Sequence, residues 1–289
     1  MQVSNNTPFK AMANPGFDKD GREVVSVIIK GTFGLSDRGR AEALESSKQV
    51  EIVMADEYWG APGESPVKAE SDLAPFKPGT DLILVGNACG RNGQATRHFS
   101  VDFTVGGKSK KGHFFSLSKQ DQLPLHLLDW QLKEDKWKRR KKPTEGFGYF
   151  PKQAPPRVNF AGTYDSDWQE NRSPFLPEDF DYRFFQAAFP DLICYPHLRG
   201  DEVVEIGGVF PDGRLLTALP AVTIEIEGFI RNERVKALPN LDTIVFDSPR
   251  RWVVLVWRAV FKTGGTPADV KGFVTKLVSL GQANRAAAS

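Results

Sequence analysis

Apolar residues recur at every second position through much of this chain, and few stretches show the three-to-four spacing of a helix. In residues 23–35, Val25, Val27, Ile29 and Phe33 fall at odd positions, which predicts a long strand with one face well buried. Residues 82–88 are apolar on both faces and read as a central strand. Residues 99–105 and 112–117 are expected to pair as a hairpin across Gly106-Gly107-Lys108-Ser109. Past Leu192 the β pattern returns over Val203–Phe210, 215–219, Val222–Ile230, 235–238, 243–246 and 252–261, with Pro211-Asp212-Gly213-Arg214 as a turn. Weaker strands are expected at 3–7 and 50–54, and turns at Asn14-Pro15-Gly16 and Asp18-Lys19-Asp20-Gly21. Residues 24–33 and 253–261 resemble one another, as two ordinary buried strands would.

Helical signals are sparse. Residues 166–172 predict a short helix capped by Asp165 or Ser166 and ended by Pro174 and Pro177, with further turns over 178–188. Residues 267–280 read as an amphipathic C-terminal helix. Pro267 suits its first position, Val270, Phe273, Val274, Leu277 and Val278 lie on one side, and Gly281 can stop it. The expected fold is therefore mainly β with short helices: two packed β-sandwich-like lobes plus a C-terminal helix covering an open sheet edge or face. The boundaries are 1–120 for the N-terminal lobe, 121–157 for a basic linker and crossing segment, and 158–289 for the C-terminal lobe. Two irregular stretches, 58–90 and 160–188, organise the chain and are expected at the junction of the lobes. Their Pro and Gly residues fix the backbone more than they loosen it.

Composition narrows the chemistry. With 289 residues and a net charge of +2, nothing in the overall balance points to a polyanion. The run Asp135-Lys136-Trp137-Lys138-Arg139-Arg140-Lys141-Lys142 is basic, but a single Trp makes no stacking platform. A solvated hinge is favoured there over nucleic-acid contact. The two cysteines, Cys89 and Cys194, lie far apart, and no pair of the four histidines has ligand spacing. No metal or cofactor is therefore expected. No apolar run reaches membrane-span length, and the first residues lack a signal pattern, so a cytoplasmic location is expected. The acidic residues Asp165, Asp167, Glu170, Glu178, Asp179 and Asp181 admit a carbohydrate-hydrolase reading centred on Asp165 and Asp167. Helix caps and arginine pairs account for most of them without it.

A resemblance enters through motif order. Tyr58-Trp59-Gly60, Ser71-Asp72-Leu73, Pro75-Phe76-Lys77-Pro78-Gly79-Thr80-Asp81 and Gly86-Asn87-Ala88 are followed by Phe160-Ala161-Gly162-Thr163-Tyr164-Asp165. Then come Trp168, Arg172, Asp179-Phe180-Asp181, Arg183-Phe184-Phe185, Ala187-Ala188, Leu241-Asp242-Thr243 and Val256-Trp257-Arg258-Ala259. From Asn5 to about Phe261 the chain resembles the bacterial family catalogued as domain of unknown function 2169. The resemblance implies a non-enzymatic adaptor-chaperone of type VI secretion. Such a protein holds a toxic effector, often through its proline-alanine-alanine-arginine (PAAR) tip, and helps load it on the valine-glycine repeat (VgrG) spike. No membrane or nucleic-acid partner is implied, and the free protein is expected as a monomer. No catalytic residue carries over. Candidate partner-binding or inter-lobe residues are Trp59, Asp72, Phe76, Lys77, Asp81, Tyr164, Asp165, Trp168, Arg172, Asp181 and Arg183. At least half of Trp59, Tyr164, Trp168 and Arg172 are expected to be buried. At least one of Arg172 and Arg183 is expected to reach a carboxylate or carbonyl across the two stretches.

Overall fold

Alternating β-branched and aromatic residues produce strands over much of the chain. The computed structural model describes residues 1–126, 146–155, 157–264 and 269–281. In its first half lie β1 (Val3–Asn6), β2 (Lys10–Phe17), β3 (Glu23–Gly34), β4 (Glu42–Ala43), β5 (Glu57–Tyr58), β6 (Val67–Ala69), β7 (Thr80–Val85), β8 (Asn87–Cys89), β9 (Thr96–Val105), β10 (Lys108–Gln120) and β11 (Gln122–Pro124). Its second half holds β12 (Ile193–Cys194), β13 (Val203–Phe210), β14 (Gly213–Ala218), β15 (Val222–Ile230), β16 (Glu233–Ala237), β17 (Asn240–Asp247), β18 (Trp252–Lys262) and β19 (Val270–Leu280). A short helix, α1 (Ser166–Asn171), and several 3-10 turns lie between the halves. The protein is mainly β with few short helices, as the alternation predicts.

The central sheet runs β12-β7-β17-β18-β3-β2, with β4 on β3; two four-stranded sheets, β10-β9-β13-β14 and β1-β19-β15-β16, accompany it. The similar segments 24–33 and 253–261 are neighbours, with Val25 opposite Phe261 and Phe33 opposite Val253. They resemble each other because both sit mid-sheet with both faces covered. The sheets take strands from both halves of the chain: β9 pairs with β13, β7 in parallel with β17, and β3 with β18. The boundary at 121–157 thus separates stretches of sequence, not sheets. The basic run 136–142 lies outside the described residues.

One face of β3 and β18 builds an apolar core from Val25, Val27, Ile29, Phe33, Val253, Leu255, Trp257 and Phe261. Phe103 of β9 meets Phe246 of β17 edge-on at 5.3 Å, and Phe273 of β19 lies 4.9 Å from Phe261. The opposite face carries Ser26, Lys30, Thr32 and Arg258, all buried. Irregular chain covers it. Thr32 N–H donates to Gln49, and the N–H groups of Val50 and Val53 donate to Thr32 Oγ1 and Asp72 Oδ2. Residues 50–54 are therefore not the expected strand, because side chains satisfy two of their backbone donors where a ladder would have. Asn14-Pro15-Gly16 is not a turn but part of β2, where Pro15 faces Val25. As β2 is an edge of the central sheet, the missing proline N–H breaks no interior ladder. Residues 82–88 are two strands, broken at Gly86, where φ is +130° and a Cβ would meet Ser248 Oγ at 2.1 Å.

The expected C-terminal helix is overturned: residues 270–280 are strand β19, between β1 and β15. Its first position, Pro267, lies outside the described residues. Phe273, Thr275 and Leu277 alternate inward, and a bulge at Lys271-Gly272 turns Val270 inward as well. Two inward residues three apart reproduce the helical spacing. Phe273→Ala is expected to cost about 3–5 kcal/mol in urea denaturation. Val278→Ala, at a site 61% exposed, should stay within about 0.5 kcal/mol. A helical face would have made both costly.

Candidate functional site

The bend Pro75–Gly79 delivers Asp81 to the second position of β7, where it is fully buried. Lys77 Nζ donates to Asp81 Oδ2 at 2.8 Å and to Thr243 Oγ1 at 2.9 Å. The Thr243 hydroxyl donates to Asp242 Oδ1 at 2.9 Å, and Arg258 Nε donates to Asp242 Oδ2 at 2.6 Å. Arg258 Nη1 then reaches back to the carbonyls of Asp72 and Ala74. Lys30 holds the Asp72 carboxylate at 2.7 Å. This relay runs from β7 through β17 to β18 and fastens the first irregular stretch to the polar face of the central sheet. Among the described residues, every fully buried side-chain nitrogen or oxygen has a partner.

The second stretch joins through Asp81 as well. Gln186 Nε2 and the N–H groups of Ala187 and Ala188 all donate to the Asp81 carboxylate, at 2.7, 2.8 and 3.1 Å. Gln186 Oε1 accepts from Gly79 N–H. A second tie is Arg157, buried, which forms a two-pronged pair with Glu70 and donates to the carbonyls of Phe150 and Phe184.

The expected arginines work otherwise. Arg183 pairs with its near neighbour Asp181 and lies over the Phe160 ring. That pairing holds the Asp181 carboxyl below its usual range. Arg172 donates to the carbonyls of Leu176 and Lys19, the latter on the turn after β2. Neither reaches the 58–90 stretch by a hydrogen bond or ion pair; Gln186 and Arg157 make that connection. Arg157, Glu70 and Gln186 carried no signal in the periodicity. Arg258 and Asp242 did: each is a lone charge in an otherwise apolar run, opposite in sign.

Asp165 caps α1 by accepting from Trp168 N–H, and Trp168 Nε1 donates to the Phe175 carbonyl. Tyr164, half exposed, meets the Trp168 ring edge-on at 4.7 Å. Phe76 packs edge-on against Tyr182. Trp59, also half exposed, stacks on His126 at 4.2 Å beside a cleft of about 20 Å³, water-sized. The expectation that at least two of Trp59, Tyr164, Trp168 and Arg172 are buried fails, and none is: Trp168 and Arg172 are partly covered while Trp59 and Tyr164 are exposed, because the irregular segments they sit on pack only their inner side chains. In the acidic group, Asp167 accepts from Asn171, Asp179 from Thr163 N–H and hydroxyl, and Glu178 lies 3.5 Å from Arg172. Among the described residues no metal-holding group of His, Cys, Asp or Glu forms, and no helix is long and apolar enough to cross a membrane.

Strands of both halves tied by buried charge pairs, with a loop-rich aromatic insert between them in sequence, define a mainly β protein. The chain belongs to the bacterial family described as "Uncharacterized protein conserved in bacteria (DUF2169)", whose model matches residues 20–118 and 111–258. No match was found among curated proteins or solved structures.

Removing Asp81 strands the Lys77 ammonium and two backbone donors. Asp81→Ala is expected to cost about 3–5 kcal/mol, read by urea denaturation; Arg183→Ala, at an exposed pair, no more than about 1 kcal/mol. Burial pushes the Cys194 thiol from 9.0 up to about 11. A thiol raised in the folded state contributes stability that is full below pH 9 and lost as pH rises through about 11. Stability should therefore fall across that window, and Cys194→Ala should flatten the fall. At neutral pH, Ellman's reagent should titrate both cysteines, which are buried and free, only after unfolding.

Proposed function

We propose that this chain is a non-enzymatic adaptor-chaperone of type VI secretion, binding a toxin effector, often through its PAAR tip, and helping to load it on the VgrG spike. The observation that carries the binding role is the 160–188 insert. Its carboxylates and arginines hold irregular backbone in place by caps and carbonyl contacts, while Tyr164 stays half exposed on that rigid support. Aromatic and Arg anchors on pre-ordered backbone suit protein recognition, since little ordering entropy is lost on docking. The type VI assignment is supported by the resemblance in motif order and by membership of the family. A hydrolase at Asp165 and Asp167 is disfavoured, because Asp165 is the helix cap and Asp167 serves Asn171 on the same helix.

Co-expression is expected to raise the soluble yield of the toxin encoded beside this gene, and gene deletion should stop export of that toxin alone. Unchanged solubility, or loss of export of every effector, would overturn the reading.

A further inference from the structure

Four aromatic residues, three on the insert and one at the end of β2, form two ring pairs linked by one hydrogen bond. Phe17 meets Phe175 edge-on at 5.2 Å, the Phe175 carbonyl accepts from the Trp168 indole, and Trp168 meets Tyr164. The inner two rings are partly covered, and that of Phe175 fastens the insert to the end of β2. The outer two keep open faces: Phe17 is 48% and Tyr164 53% exposed. On the two segments that carry these rings the exposed charges are mostly negative. Asp20, Asp165, Asp167, Glu170 and Asp179 lie on the same two segments, although the whole chain carries +2. Two Thr163 donors hold the Asp179 carboxyl below its usual range, so this charge persists at neutral pH. Of the cations on these segments, Arg172 is held by the Lys19 and Leu176 carbonyls, Arg22 by Asp20 at 3.3 Å and Arg183 by Asp181, while Lys19 is half-buried on the turn after β2.

We propose that the Phe17–Phe175–Trp168–Tyr164 strip is the docking surface for an extended, arginine-bearing segment of the protein cargo. Exposed aromatic faces ringed by carboxylates favour a cation that can both stack and pair. A guanidinium does both through its planar fork, whereas an ammonium is a compact, strongly hydrated charge. The same field repels nucleic acid and acidic peptides. The inference rests on reading the chain as a protein-binding adaptor, and it names the surface and the partner's chemistry.

The test uses the full chain and three fluorescein-labelled nonapeptides of the repeats Gly-Arg-Ala, Gly-Lys-Ala and Gly-Glu-Ala, followed by anisotropy. The arginine peptide is expected to bind most tightly, the glutamate peptide not at all, and binding should weaken as salt is raised. Phe17→Ser with Tyr164→Ala should weaken binding about tenfold or more while the melting transition persists. Asp167→Asn with Glu170→Gln should weaken it too, and Tyr164→Phe should retain it. Absence of arginine-peptide binding at millimolar concentration, or equal binding by the Phe17/Tyr164 variant, overturns the proposal. In co-expression with the neighbouring toxin, the same variant should lower the soluble yield. If the toxin is solubilised equally well, the strip fails while the adaptor reading stands. If peptides bind the strip yet the wild-type chain never solubilises the toxin, the adaptor reading fails while the strip stands.

Discussion

The relay Asp81–Lys77–Thr243–Asp242–Arg258 is the constraint on which the rest of the structure depends. A central sheet covered on both faces usually buries apolar side chains on each. Here one face does so, while the other buries lysine, arginine and aspartate. Desolvating those charges costs several kcal/mol per ion unless each finds a close partner and its remaining hydrogen bonds are met. Partners come from irregular chain: the Asp72 and Ala74 carbonyls on Arg258, the Ala187 and Ala188 amides on Asp81. The dependence is mutual. Segments 70–79 and 186–188 lack a full ladder, and the sheet's charges supply partners their backbone would otherwise leave unmet.

Strand periodicity was legible wherever alternation and turn chemistry agreed. Val203–Phe210 and Val222–Ile230 came out with their observed limits, and Gly106-Gly107 did turn the β9–β10 hairpin. The failures share a cause: a tertiary partner changed the local meaning of a pattern. The β19 bulge turned an alternating strand into an apparent helical stripe. Pro15 reads as a turn residue unless β2 is known to be an edge. The 50–54 segment has strand composition but bonds to side chains of Thr32 and Asp72.

The candidate site was legible in part, for a chemical reason. Helix caps act over three residues, so Asp165 could be found from its neighbours. Asp81 and Lys77 were both singled out, but the second partner of Lys77, Thr243, lies far along the chain. Arg157 and Glu70 meet across 87 positions, a distance no local pattern spans. The motifs that carry the family resemblance include Asp72, Lys77, Asp81, Ala187, Ala188, Asp242, Thr243 and Arg258. In the fold these residues form one connected set.

The pairing of β3 with β18 has a consequence for how the chain is made. β3 is made directly after its neighbour β2, but its other edge faces a strand made more than two hundred residues later. At about 5–20 residues per second, that edge waits on the order of ten to forty seconds. During that time Val25, Val27, Ile29 and Phe33 lack the neighbour that covers them, an open apolar edge of the kind that recruits wrong strands. A chain proposed as a guardian of other chains thus passes through an interval in which its own nascent strand needs guarding.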